Sequence, residues 1–261
     1  MPNPAELLHA QLTTWSNGHQ QTVIDSRGLD NSKTKAEVWS KHRIAIKLLS
    51  DVEEALQTAA VQGYDVEVFQ KYIPQWTEAV FAFPGGWNTY QSPAVLAAPM
   101  DQLKSASSLL SAMIPSLEPS GGKEHFSDFL SALAYNVKQL DEQHKFLKEH
   151  SLRIIRHLEG CLKDVETFGE FRITNALEDL RLLLDALDEA ANGTNPFFKN
   201  AKTGVWSFFT QSGRLALVGA GIVAGAVLDS AGADFYEEIV KPEFSNVTKS
   251  ISNGASEELA E

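Results

Sequence analysis

His144, His150 and His157 stand close together in the chain, with Asp141 three residues before the first and Cys161 four residues after the last. Imidazole, carboxylate and thiol are the ligands of zinc and di-iron centres and the parts of nucleophile–base pairs, so their spacing decides what chemistry is open to them. On a helix His150 and His157, seven apart, share a face. Neither belongs to an H-E-x-x-H pair, and Asp141-x-x-His144 has no second carboxylate–histidine copy of the kind a di-iron bundle requires. The three therefore read as solvated or seam histidines, and Cys161 as a small apolar seam residue rather than a nucleophile. The chain has no P-loop, G-x-S-x-G elbow or paired-cysteine motif. No catalytic residue, metal ligand or cofactor is expected, and the chain reads as non-enzymatic.

Two short stretches resemble known motifs. Arg153-Ile-Ile-Arg-His157 resembles the R-x4-6-H motif of helical HEPN ribonucleases, with one intervening residue too few, which makes a helical nuclease the most distant of three functional readings. Residues 214–224, from Arg214 through Gly219 and Gly221 to Ala224, resemble the G-x-G-x-x-A dinucleotide fingerprint over eleven residues. A Rossmann half needs parallel strands and an acid about twenty residues on, and no strand pattern precedes this stretch. Small-xxx-small spacing, Gly221 with Gly225 and Ala220 with Ala224, suits close helix packing better.

The elements that would carry these residues are helical throughout. Asn3 before Pro4 is an N-cap followed by Pro at the first helical position, opening a helix to about Ser16. From residue 32 to 62, Val38, Ala45, Leu49, Val52, Leu56 and Ala59 form a narrow stripe, and Gly63 supplies the left-handed stop. Pro74 divides the next apolar stretch into short helices over 66–72 and 75–83, and another helix is expected over 100–113. Two prolines and a Gly-Gly pair in 115–122 mark an internal boundary. Beyond it, Phe126, Leu130, Leu133, Val137, Leu140, His144, Leu147, Ser151, Ile154, Leu158, Cys161, Val165 and Phe168 alternate spacings of four and three. That predicts one helix of roughly 65 Å at about 1.5 Å per residue. Ile173, Leu177, Leu180, Leu184 and Leu187 continue to Asn192-Gly193. The expectation is an all-α protein: an elongated bundle with a long coiled-coil-like antiparallel hairpin, its seam at Leu133, Val137, Leu140, Leu147, Ile154 and Leu158. His144 and Ser151 can either specify register there or be exposed where the hairpin frays. The expected divisions are 1–118, a hairpin over 123–192 bundled with the helix at 32–62, a hydrophobic segment over 196–234, and an acidic tail over 235–261.

The hydrophobic segment is the anomaly. Residues 196–228 contain no acid, and the fourteen from 215 to 228 contain no polar side chain. Fourteen helical residues reach about 21 Å, short of the ~30 Å hydrocarbon core, which suits a buried or interfacial element. Flanking Phe197, Phe198, Trp206, Phe208 and Phe209, with Phe235 and Tyr236 beyond, resemble interfacial aromatic belts, and 215–233 makes nineteen residues if Asp229 is tolerated. If the segment spans, Lys199, Lys202 and Arg214 hold the preceding side in the cytoplasm and the acidic tail crosses. The candidates for insertion are Trp206, Phe208, Phe209, Leu215, Leu217, Val218, Gly221, Ile222, Gly225, Val227 and Leu228.

A formal charge of −12 and a richest basic stretch, 33–47, holding five cations with Glu37 among them argue against a nucleic-acid partner. One cysteine excludes an intrachain disulfide framework. The first residues show no basic or apolar signal pattern, so a cytoplasmic location with conditional or peripheral membrane association is expected, and the triplets at Asn192 and Asn246 are chance sequons. Long narrow-striped helices joined to a Gly/Ala-rich apolar segment resemble, in architecture, helical pore-forming proteins that stay soluble until an apolar element is released. The resemblance implies a lipid bilayer as partner, a homo-oligomer, and a further protein partner on the bundle. The alternative is a coiled-coil scaffold or adaptor whose Gly/Ala-rich segment is buried or acts as an anchor.

Overall fold

A computed structural model describes residues 2–16, 22–29, 35–88, 97–117, 121–209 and 235–245. The described residues are mostly helical and contain no strand; one isolated antiparallel bridge joins Leu117 and Phe209. The chain divides into two compact units, Met1–Ile114 with Asp164–Arg172, and Pro115–Lys163 with Ile173–Glu261.

The first unit holds α1 (Pro4–Ser16), α2 (Val23–Arg27), α3 (Lys35–Val61), α4 (Glu67–Gln70), α5 (Ile73–Phe81) and α6 (Ala97–Met113). Asn3 opens α1 as its sequence promises, because its Oδ1 accepts from the backbone N–H of Ala5 and Glu6, both at 3.0 Å. Its Nδ2 donates to the Ser107 carbonyl at 2.8 Å and the Ser111 hydroxyl at 2.7 Å, so one capping residue also fastens α1 to α6. The α3 stripe is buried, and Gly63 stops the helix at φ +88° with its N–H on the Ala60 carbonyl. Trp76 of α5 is fully enclosed and donates Nε1–H to the Pro99 carbonyl at 2.8 Å.

Residues 164–172 return to this unit as α9 (Val165–Phe168) and the first two residues of α10 (Phe171–Ala190). Arg172 grips Asp51 with both Nε (2.9 Å) and Nη2 (3.3 Å), and its guanidinium lies 3.8 Å above the Phe168 ring. Burial holds the Asp51 carboxyl above its usual range despite the pull of Arg172. Gly169, at φ +73°, lies where any β-carbon would meet the Pro2 carbonyl.

The second unit contains α7 (Gly122–Lys138), α8 (Lys145–Lys163), α11 (Pro196–Gly204) and most of α10. The single helix expected over 126–168 is not continuous. It is broken after Lys138, turns through Gln139 to Asp141, passes a 3-10 turn at Glu142–His144, and resumes as α8, which packs back on α7. Asp141 takes an extended backbone (φ −61°, ψ 156°) and begins the next helical turn. A second interruption follows at Asp164 and a third at Gly169. The heptad-like spacing is therefore divided among separate helices, α7 and α8, which fold on one another, and α9, which falls in the first unit, and not carried by one continuous rod. The helix at 35–61, expected to bundle with residues 123–192, falls in the other compact unit from α7 and α8.

Candidate functional site

The second unit builds an aromatic core around the two ends of the hydrophobic segment. Asn195 caps α11 by accepting from the Phe197 N–H at 2.8 Å, with Pro196 in the first helical position. Its Nδ2 donates to Oδ1 of buried Asn136 on α7, whose own Nδ2 donates to the Ala132 carbonyl. Placed in this way, α11 delivers Phe197 onto Phe129, and the 3-10 turn Val205–Phe208 carries Phe208 onto Phe126 and Phe129. Phe209 packs edge-on against Phe126. From the far side of the segment, Phe235 packs on Phe129 and on Phe208, its centroid 6.1 Å from each. A π turn, Tyr236–Val240, follows. There the Tyr236 hydroxyl donates to Asp128 at 2.7 Å and its ring stacks on His125 at 3.7 Å. Burial and then the Asp128 carboxylate push the Tyr236 phenol up to about 12.

Gly204 is the contact on which this closure depends, because a β-carbon there would fall within the Phe235 ring. Gly204→Ala is expected to expel Phe235 and to cost about 1–3 kcal/mol. Faster amide exchange over 235–245, with α7 and α8 unchanged, is the corresponding observation; unchanged exchange there would show that Phe235 does not depend on the gap.

Trp206, Phe208 and Phe209, candidates for insertion, are thus 5%, 2% and 1% exposed and belong to the core of the second unit. Leu215, Leu217, Val218, Gly221, Ile222, Gly225, Val227 and Leu228 lie outside the described residues, as does the G-x-G-x-x-A stretch. Among the described residues no helix is long and apolar enough to cross a membrane. Of the seam, Leu133, Val137 and Leu158 are fully buried, whereas Leu140, Leu147 and Ile154 are half-buried and Ile155 takes the inward place beside Ile154. Ser151 is buried and donates to the Leu147 carbonyl at 2.6 Å, which satisfies it within its own helix. His150 and Arg153 pair on the exposed face, His157 is exposed one turn before buried Cys161, and no metal-ligating group of three occurs among the described residues.

A site the sequence reading missed lies in the first unit. The gap of seven between Val38 and Ala45 in the α3 stripe is filled by His42, 5% exposed and stacked on Trp15 at 4.4 Å. Nδ1–H of His42 faces the Val38 carbonyl at 2.9 Å, which leaves Nε2 as the acceptor for Arg27 Nη1 at 2.9 Å. Arg27, also 5% exposed, donates to the Val80 and Ala79 carbonyls, both at 2.7 Å, and its guanidinium lies 4.2 Å above Trp15 and 5.2 Å from the Trp87 ring. Burial lowers Arg27 to about 10.

Burial also lowers the His42 pKa, and the Arg27 charge adds to the effect against a Val38 contact that raises it. A histidine held neutral in the fold stabilises it above the unfolded value near 6.5, and that contribution is lost as pH falls below it. The melting temperature of the first unit should therefore fall between pH 7.5 and 5.5, and should fall less in His42→Gln. Equal slopes in the two proteins would show that His42 does not titrate on unfolding.

Comparison of the chain with protein-family models, curated proteins and solved structures finds no match.

Proposed function

We propose that this chain is a non-enzymatic, membrane-active helical protein in which residues 210–234 are the bilayer-contacting segment and the second unit is its holder. The reading rests on the joining of two facts. The 25 residues from 210 to 234 carry Arg214, Asp229 and Asp234 as their only charges, and Phe208, two positions before them, and Phe235, directly after them, lie ring against ring on α7. A segment fastened at both ends to one place enters and leaves a bilayer by the same face. Each arm of about twelve residues reaches about 18 Å as helix, which is too short for the ~30 Å hydrocarbon core. This favours a shallow re-entrant insertion, with the acidic tail left on the side of entry, over the spanning arrangement. Self-association through Gly221 and Gly225 would strengthen insertion by bringing segments close.

Flotation with anionic lipid vesicles tests the proposal. Wild-type protein is expected to float and to release entrapped dye. Ile222→Asp should weaken partitioning at least tenfold, since an acid at depth costs up to about 2.5–3.5 kcal/mol, and Gly221→Leu should reduce leakage. Protease added outside should remove the tail; a protected tail would mean that the segment spans. Absence of flotation under every lipid composition would leave the scaffold reading, which the burial of Trp206, Phe208 and Phe209 favours.

A further inference from the structure

In a chain of formal charge −12, α8 is a basic helix: it holds five cations, Lys145, Lys148, Arg153, Arg156 and Lys163, against two acids, Glu149 and Glu159. Its apolar side, with Ile155, Leu158 and Leu162 buried, packs on α7. Lys148 turns to Glu142 at 4.0 Å. The other four cations stay exposed along about 27 Å of helix, at about 1.5 Å per residue, and none has a carboxylate partner among the described residues.

Two of them are oriented by their own helix. Arg153 donates Nη2–H to His150 Nδ1 at 2.8 Å, and Arg156 donates Nε–H to the Leu152 carbonyl at 2.9 Å. The Nη groups of Arg156 are left without a partner among the described residues, and a guanidinium held in this way presents a planar fork to phosphate or carboxylate oxygens. Phe146, in the first turn of α8, is 86% exposed. Seven residues before Arg153, it shares the same face.

The chemistry of that face selects its partner. A protein that takes a basic helix into a groove needs the helix's apolar stripe, and that of α8 is already buried on α7. A nucleic acid would meet four free cations on a strongly acidic chain. A flat anionic surface needs only cations on one side of the helix, and it accepts an exposed aromatic ring at headgroup depth.

We infer that the exposed face of α8 docks the second unit on an anionic lipid bilayer, with Lys145, Arg153, Arg156 and Lys163 on the headgroups and Phe146 at the boundary with the acyl chains. This rests on the membrane reading above for the nature of the partner, but α8 and residues 210–234 are separate in sequence and can be altered independently.

Flotation of the full chain with vesicles of phosphatidylcholine alone, and of phosphatidylcholine with phosphatidylserine, tests it. Wild type should prefer the anionic vesicles, and added salt should weaken that preference. Arg153→Gln with Arg156→Gln, both exposed, should weaken anionic binding about 25-fold, at about fivefold per cation, and leave neutral binding unchanged. The same loss of charge in the first unit, Lys35→Gln with Lys104→Gln, should change neither. Phe146→Ser should weaken both by about threefold or more, with the preference kept. Circular dichroism should be unaltered throughout. Ile222→Asp should reduce dye release while keeping the anionic preference, which separates loss of insertion from loss of docking. Equal binding to both vesicles, an anionic preference that survives the two arginine substitutions, or an equal fall in the Lys35–Lys104 variant would each overturn the inference, whatever Ile222→Asp does. Polyuridylate bound through the same two arginines more tightly than anionic vesicles would also overturn it, by giving the face to nucleic acid.

Discussion

Leu133→Asp should destabilise the second unit by about 4 kcal/mol or more, and Leu158→Asp should do the same. Both side chains are fully buried, Leu133 on α7 and Leu158 on α8, the two helices that pack on each other across the turn at Gln139–Asp141. Removing a buried leucine alone costs about 2.7–5 kcal/mol through lost transfer energy and the remaining cavity, and an unpaired carboxylate in the same place adds its desolvation. The control is Leu182→Asp on α10, where 53% exposure should limit the change to about 0.5 kcal/mol. Trp206, in the core of the second unit, gives the readout, while Trp15, Trp39, Trp76 and Trp87 all belong to the first. Urea unfolding followed by circular dichroism and by tryptophan fluorescence, with a Trp206→Phe variant identifying the Trp206 signal, should show an early transition in the two aspartate variants. Midpoints equal to that of Leu182→Asp would mean that Leu133 and Leu158 face water.

The same two leucines show what the sequence could and could not reveal. Spacings of four and three identify which residues face inward, and Leu133, Val137 and Leu158 are indeed enclosed. They do not say how many helices share that face. A helix turned back on itself keeps its apolar stripe inward on both arms, and the turn at Gln139-Leu140-Asp141 contains neither glycine nor proline to announce it. The start at Asn3-Pro4 and the stop at Gly63 are readable because their chemistry is local. The Arg27–His42 cluster is not, since it joins residues from α2, α3 and α5 whose proximity no periodicity encodes. One trace of it was present: a histidine at the place in the α3 stripe where an apolar residue belongs. The aromatic belt of 197–209 stands out by its composition, but composition cannot distinguish rings facing lipid from rings facing α7.

Arg27→Met is expected to destabilise the first unit by about 3 kcal/mol or more, although it removes a buried charge that has no carboxylate partner among the described residues. Ala79 and Val80 lie in the last turn of α5, where backbone carbonyls have no intrahelical donor, and Arg27 supplies one N–H to each. A cation at that end also meets the partial negative charge of the helix C-terminus, and the faces of Trp15 and Trp87 add to it. Those interactions offset the burial that lowers Arg27 to about 10. Methionine matches the shape of the arginine stem but leaves two buried carbonyls and the His42 Nε2 without a donor, at about 1–3 kcal/mol each, less the relief of desolvating no cation. Lysine should recover only part of the loss, because one ammonium cannot reproduce a planar fork directed at two carbonyls and an imidazole. Urea unfolding monitored by the four first-unit tryptophans should place Arg27→Met lowest, Arg27→Lys between, and wild type highest. The methionine variant should also lose part of its acid sensitivity, since without the neighbouring cation His42 can accept a proton in the folded state more readily. A methionine variant as stable as wild type would mean that the α5 carbonyls find other donors and that the arginine is not the cap of that helix.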